Sequence, residues 1–192
     1  MFKPDKHVLN DINPYLINMW HAAYDGWNPP EKVTERDYIY YNKTRPINDP
    51  MTGYVGFAWS FGGKFFGGAA RTNGRIKGSY KSTRDKIDVI RANNVRFTCG
   101  HFSLVKPQSQ SVVYLDPPYE ARTHQSHLSK RFNYDEYFIY AENLAKRHVV
   151  IATSFTNERK WKVLHNYGDT VVRHHAGKAP DGTIELLLRV GK

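Results

Sequence analysis

Residues 111–120, SVVYLDPPYE, place a short apolar run directly before an acid and two prolines. The run 112–115 combines β-branched, aromatic and aliphatic residues, which favours a β-strand. Pro117 and Pro118 have no backbone N–H to donate to a neighbouring strand, so the strand is expected to end at Asp116. Ligands of open α/β sheets bind at the carboxyl ends of the strands, which makes the Asp116 carboxylate a candidate functional group.

The rest of the chain alternates between strand-like and helix-like patterns. Strands are predicted at 7–10, 95–102, 148–155, 169–176 and 183–190, and helices at 13–23, 83–94, 133–145 and 157–167. Asn133 and Glu136 form a capping-box pattern at the start of the third helix, and KAPDG at 178–182 predicts a hairpin-like connection. This order predicts an α/β fold with a mainly parallel sheet and an antiparallel edge at its C-terminal end.

Composition narrows the class of protein. With 192 residues, 40% of them hydrophobic, the chain has the size of one globular domain. No run approaches ~18 apolar residues and the N-terminus lacks the apolar core of a signal peptide, so no membrane partner is expected. A single cysteine, Cys99, excludes a disulfide framework and fits a reducing cytoplasm. The histidines lack the spacing of metal ligands, so no metal is predicted.

The net charge of +10 favours a polyanionic partner, although a basic solvated surface would give the same total. Residues 61–84 contain no acid, are rich in glycine, and carry aromatic rings at Phe61, Phe65, Phe66 and Tyr80. The cations of this segment are Lys64, Arg71, Arg75, Lys77, Lys81 and Arg84. A flexible, cationic and aromatic segment suits a phosphate backbone and unstacked bases, so these residues are predicted to bind DNA.

Two further strand ends carry polar side chains, Asn10-Asp11 and Thr153-Ser154. An acid at the end of an early strand commonly holds ribose hydroxyls. Asp11 also stands just before a predicted helix with Pro14 near its first position, so it equally fits a helix N-cap. From the residues alone, the N-cap is the favoured interpretation.

At Asp116-Pro117-Pro118-Tyr119 the chain resembles the Dam-type DNA N6-adenine methyltransferases, which use S-adenosylmethionine. The tetrapeptide is similar to the catalytic motif of that family, and further segments resemble it in the same order along the chain. They are Asp11-Ile12-Asn13, residues 57–78, residues 96–105, residues 132–155 and residues 184–188. The resemblance implies a Rossmann-like methyltransferase sheet, S-adenosylmethionine as cofactor and double-stranded DNA as partner.

The resemblance also implies a role for each motif residue. Asp116 and the carbonyl of Pro117 would accept the two N–H bonds of the adenine amine, while Pro118 helps to fix the turn. Tyr119 would stack on an adenine flipped out of the duplex. The residues expected to contact the cofactor are Asp11, Ile12, His101, Phe102 and Asp116.

The chain departs from the family pattern in two places. Only ten residues precede Asp11, and they contain no glycine, whereas the family has a Gly-containing cofactor loop there. His101 stands where the family often has an acid. The predicted fold is therefore an N-terminally truncated sheet, with residues 1–23 and 95–192 as the catalytic core and 24–94 as an inserted DNA-recognition lobe.

Two functions remain open at this point. One is an adenine-specific DNA methyltransferase of a bacterial or phage-infected cytoplasm, with a role in restriction–modification, phage self-marking or regulation. The alternative is a catalytically degenerate DNA-binding relative, or a subunit that needs a partner chain to supply the missing loop.

Overall fold

A computed structural model describes residues 5–118, 132–154, 159–166 and 186–191 of the chain. The chain divides into two compact units, Met1–Val105 and Lys106–Lys192. The division expected from the sequence differs, because it grouped residues 1–23 with 95–192 and separated them from 24–94. In the structure, residues 1–23 and 24–94 belong to the same unit.

The first unit contains a parallel pair of strands, a short hairpin and four helices within its described residues. These elements are β1 (His7–Asp11), α1 (Pro14–Tyr24), α2 (Glu35–Thr44), α3 (Pro50–Ala58), β2 (Arg71–Thr72), β3 (Arg75–Ile76), α4 (Tyr80–Arg91) and β4 (Val95–Cys99). Strands β1 and β4 pair in parallel, from His7 opposite Val95 to Asp11 opposite Cys99. The predictions of β1, α1, α4 and β4 are confirmed.

Helices α2 and α3 were not predicted, because residues 24–60 are polar, proline-rich and lack a clear apolar period. Local capping explains why they form. Thr34 and Asp37 make a reciprocal capping box at α2, with hydrogen bonds of 3.1 and 2.9 Å. The Thr34 hydroxyl and the Thr34 backbone N–H both donate to the Asp37 carboxylate, and these two bonds hold the pKa of Asp37 below its ordinary value. At α3, the Asp49 side chain accepts from the Met51 N–H at 2.9 Å and Pro50 occupies the first turn.

One hydrophobic core holds helices α1, α2 and α3 together. Its buried members are Met19, Val33, Tyr38, Tyr54, Val55 and Trp59. They come from α1, α2, α3 and the segments beside them, so a boundary after residue 23 would cut through this core. This shared burial is the physical reason why the predicted lobe does not separate from the N-terminal residues.

Close contact between α1 and α3 depends on a glycine. A Cβ atom on Gly53 would lie 2.2 Å from the Tyr15 carbonyl oxygen and 2.8 Å from the Met19 Cβ. Both distances are far below van der Waals contact, so only glycine lets the two backbones approach this closely. The packing of α1 on α3 therefore requires the hydrogen side chain at position 53.

The second unit contains a four-stranded sheet and one helix within its described residues. They are β5 (Val112–Leu115), α5 (Tyr134–Ala145), β6 (Val149–Ser154), β7 (Lys162–Asn166) and β8 (Leu186–Arg189). The strand order is β5-β6-β8-β7, in which β5 and β6 are parallel and β8 is antiparallel to both of its neighbours. A mixed α/β fold with an antiparallel C-terminal edge is thus confirmed.

The predicted helix at 157–167 is wrong, because residues 162–166 form strand β7. Its pairing with β8 shifts register between Val163 and His165. The hydrogen bonds of this ladder join residues that are 20 to 27 positions apart in the chain, so local helical spacing could not reveal them. The predictions at 169–176 and 178–182 lie outside the described residues.

Helix α5 packs on β6, as its apolar face predicts. Asn133 caps it by accepting the Glu136 N–H at 3.1 Å. Tyr137 and Ala141 are buried on the helix side, and Val150 and Ala152 are buried on the strand side. No helix of the described residues is both long and apolar enough to cross a bilayer.

Candidate functional site

The Asp116 carboxylate stands at the carboxyl end of β5, beside the neighbouring strand β6. Leu115 of β5 pairs with Ala152 of β6 in a parallel register, so the next residues, Asp116 and Thr153, are neighbours. The Thr153 hydroxyl Oγ1 donates a 2.9 Å hydrogen bond to Asp116 Oδ1. Asp116 is exposed, whereas Thr153 is only 3% exposed. A buried donor thus holds an accessible carboxylate, which is an arrangement suited to binding a substrate N–H or O–H.

A hydrogen bond links the prolines after Asp116 to the start of α5. The Tyr134 hydroxyl donates to the Pro118 carbonyl oxygen at 2.5 Å. Pro117 and Pro118 are both partly buried. The Pro117 carbonyl, which was predicted to accept an amine N–H, makes no hydrogen bond to a described residue. Tyr119, the predicted stacking residue, lies outside the described residues.

Tyr137 of α5 interacts electrostatically with the Asp116 carboxylate. Burial raises the pKa of the Tyr137 phenol above its ordinary value, and the negative charge of Asp116 adds to that rise. The phenol therefore stays neutral at physiological pH. Thr153, Tyr134 and Tyr137 were not predicted as site residues. Only Thr153 carried a signal, since it stands at a predicted strand end.

In the first unit, Asp11 ends β1 and turns the chain into α1. Its Oδ1 accepts the Asn13 N–H at 2.7 Å, and its carbonyl accepts the Gly100 N–H at 3.0 Å. The N-cap of α1 is Asn13, whose side chain accepts from Tyr15 and Leu16 at 3.0 and 3.2 Å. The interpretation of Asp11 as the N-cap is therefore wrong. Its Oδ2 accepts no hydrogen bond from any described residue.

The structure brings the other predicted cofactor residues of this unit to the same sheet edge. Ile12 follows Asp11 and is exposed, while His101 and Phe102 follow β4 directly. The rings of His101 and Phe102 lie 4.2 Å apart between centroids and are tilted by 35°. His101 Nδ1 lies 2.8 Å from the Ser103 hydroxyl. A carboxylate and two rings at one edge suit a ligand that carries hydroxyl groups and a flat heterocycle.

Asn10 and Thr98, which were not predicted as site residues, stabilise this edge. Asn10 donates through Nδ2 to the Gly100 carbonyl at 3.0 Å, and its Oδ1 accepts from the Thr98 hydroxyl at 3.0 Å. These bonds connect the ends of β1 and β4 and hold the turn that leads to His101. Asn10 was noted only for its place at a strand end, and Thr98 carried no signal in the sequence.

The basic segment, residues 61–84, contains a tight hairpin formed by β2 and β3. Its two central residues, Asn73 and Gly74, have φ values of 51° and 74°, as in a type I′ turn. Ile76 packs against the hydrophobic core. Its pairing partner Arg71 lies on the same face of the ribbon, so Thr72 and Arg75 point to the opposite face.

The six predicted DNA-binding cations fall into two groups. Lys64, Arg75, Lys77 and Lys81 are exposed and form no ion pair with a described residue. Arg71 pairs with Glu35 of α2. Arg84 bonds the Asn28 side chain and lies 3.6 Å from Asp88. The first group offers cations directly to a polyanion, whereas Arg71 and Arg84 already serve contacts within the protein.

Two of the predicted stacking rings are used in packing. Phe65 stacks on Tyr15, with centroids 5.1 Å apart and planes at 20°. Phe66 contacts Tyr38 edge to face at 5.7 Å, and the Arg45 guanidinium lies 5.2 Å from its ring centroid. Phe61, in contrast, is 51% exposed. The expectation that Phe65 and Phe66 offer open stacking faces is therefore wrong.

The described residues contain no group of three or more His, Cys, Asp or Glu side chains that could hold a metal ion. A comparison with models of known protein families finds no match, and neither does a search among curated proteins. An assignment of function therefore depends on the residues of this chain and on their geometry.

Proposed function

We propose that this protein transfers a methyl group from S-adenosylmethionine to the N6 amine of adenine in double-stranded DNA. The observation that carries the proposal is the exposed Asp116 carboxylate at the end of β5, held at 2.9 Å by Thr153 and followed by the Pro117-Pro118 turn. This is the group that the chemistry of amine methylation requires, at the sheet edge where α/β folds bind ligands.

The chemistry explains the need for a carboxylate. The lone pair of an exocyclic adenine amine is delocalised into the ring, so the amine is a weak nucleophile. Asp116 and the Pro117 carbonyl would accept its two N–H bonds, return electron density to nitrogen and orient the lone pair. As the new N–C bond forms and the bond between the methyl group and the sulfur of the donor breaks, the amine loses one proton, which the Asp116 carboxylate would accept.

S-adenosylmethionine, when bound, supplies an electrophilic methyl group. The residues of the first unit fit such a molecule in their donor chemistry. Asp11 retains an oxygen, Oδ2, that can accept a ribose hydroxyl, and Phe102 offers a ring to the adenine face. His101 and Ile12 complete the set at this edge.

The hairpin supports DNA as the substrate. A two-stranded ribbon is narrow enough to enter the major groove of B-DNA. Thr72 and Arg75 lie on the face away from the protein core, and arginine is the residue that most often contacts guanine there. Lys64, Lys77 and Lys81 supply nearby cations for phosphate groups. The hairpin would thus present both base-reading and backbone-binding side chains.

A second candidate is a methyltransferase subunit completed by a partner chain. Among the described residues, β1 pairs with β4 alone, and Val8 and Leu9 of β1 are 50% and 42% exposed. Parallel strands are usually buried on both faces within larger sheets. The open edge of β1 is therefore a place where a strand from another chain could pair.

The test is adenine methylation of plasmid DNA in a methylation-deficient cell, read by mass spectrometry. Wild type should produce N6-methyladenine, and Asp116→Ala should produce none, because the carboxylate acts on the reacting amine. Asp135→Ala, which removes another exposed acid of the same unit, is the matched control and should retain activity. If wild type yields no N6-methyladenine, even when co-expressed with its neighbouring genes, the proposal fails.

A further inference from the structure

Asp116 is exposed, and an exposed aspartate at a strand end would ordinarily sample several staggered rotamers. A carboxylate that averages over rotamers spends only part of its time in the orientation that accepts a substrate N–H. The 2.9 Å bond from Thr153 Oγ1 to Asp116 Oδ1 is an interaction that selects among those rotamers.

Thr153 is well suited to this role. It is β-branched and lies in β6, where its χ1 angle is restricted. It is also 3% exposed, so the surrounding side chains leave its hydroxyl little freedom to turn away. The donor is therefore rigid, while its acceptor is an accessible side chain. A rigid donor restricts the orientations open to an accessible acceptor, so we assign the positioning role to Thr153.

We infer that Thr153 is a positioning residue that orients the Asp116 carboxylate to accept the N–H of the methyl-accepting amine, an inference that rests on the proposed function. Thr153 does not touch the amine. It occupies Oδ1 of the carboxylate and thereby restricts how Asp116 can approach the amine.

Thr153→Val isolates this hydrogen bond, because it keeps the β-branched shape in the buried strand and replaces only the donor with a methyl group. Water can take over the vacated bond at Asp116, which is exposed, so the fold should tolerate the change. Thr153→Ser restores a hydroxyl in the same place and serves as the conservative control. Both variants should unfold at nearly the same urea concentration as wild type.

The first measurement does not depend on activity. Three-bond couplings from the Asp116 backbone to its carboxyl carbon, measured by NMR on the full chain, report the χ1 rotamer. We expect a single rotamer in wild type and in Thr153→Ser, and rotamer averaging in Thr153→Val. Unchanged couplings in Thr153→Val would overturn the inference, whether or not the protein methylates DNA.

The second measurement is methylation kinetics on the same three proteins. We expect kcat to fall about 10- to 100-fold in Thr153→Val, with KM for DNA unchanged and with recovery in Thr153→Ser. An equal kcat in Thr153→Val would also overturn the inference, while leaving the proposed function intact. Absence of methyl transfer by wild type would instead refute the proposed function, and the couplings would still decide whether Thr153 orients Asp116.

Discussion

Replacing Lys64, Arg75 and Lys77 together with alanine removes three exposed cations that form no ion pair with a described residue. If each contacts one phosphate, the slope of log K against log salt concentration should flatten by about 0.9 per contact, or about 2.7 in total. Between 50 and 200 mM salt, wild-type affinity should then fall about 40-fold more than that of the triple variant.

The assay is fluorescence anisotropy of a labelled duplex at several salt concentrations. The matched control replaces Lys32, Arg36 and Lys43, which are also exposed, and lowers the net charge of +10 by the same amount. The control should keep nearly the wild-type slope, because these cations lie outside the basic segment. Equal flattening in both triple variants would show that total charge, and not this segment, determines DNA binding.

The remaining predictions concern folding stability. Gly53→Ala should destabilise the fold by about 1–3 kcal/mol in urea unfolding, because the new Cβ would meet the Tyr15 carbonyl. Helix propensity alone would make the alanine variant more stable. A stabilised variant would therefore contradict the close packing of α1 on α3. Burial, together with the hydrogen bond to Asp49, raises the pKa of Tyr41 to about 12. Because the pKa is raised in the folded protein, the part of the folding stability that depends on a neutral Tyr41 phenol is fully present below about pH 10, the ordinary tyrosine value. It is lost as pH rises toward 12. Wild type should therefore lose more stability than Tyr41→Phe between pH 9 and pH 11.5, and parallel losses in urea midpoints would exclude Tyr41 as the cause.

The basic segment illustrates how far sequence reasoning could go. The absence of acids from residues 61–84 correctly indicated a concentration of positive charge, and Asn73-Gly74 has the composition of a tight hairpin turn. The sequence could not show that Glu35, thirty-six residues before Arg71, would pair with it. Nor could it separate Phe61, which is exposed, from Phe65 and Phe66, which pack in the protein. Those distinctions depend on which helices lie beside the segment after folding.

Strand β7, in the C-terminal region, is an element that the sequence pattern predicted wrongly. Residues 162–166 have an ambiguous pattern, and their state is decided by pairing with β8, which is distant in sequence. Local propensity is a weak guide for a short segment without a clear period, since the hydrogen bonds that would stabilise it as a strand are non-local. Helices α2 and α3 were missed for a different reason, because residues 24–60 lack a clear apolar period, although the Thr34 and Asp37 capping pattern was visible in the sequence.

The sequence by itself determined the elements with strong local signals: strand β5 and its termination by two prolines, helix α5 with its Asn133 cap, and strand β1 leading into α1. These follow from restrictions on single residues and from short-range hydrogen bonds, which neighbouring residues satisfy in any context. Tertiary structure alone decided which side chain holds the Asp116 carboxylate and which cations form no ion pair with another described residue. Thr153 reaches Asp116 only because β5 and β6 pair in one parallel register, and a slip of one residue would turn one of the two side chains to the opposite face of the sheet.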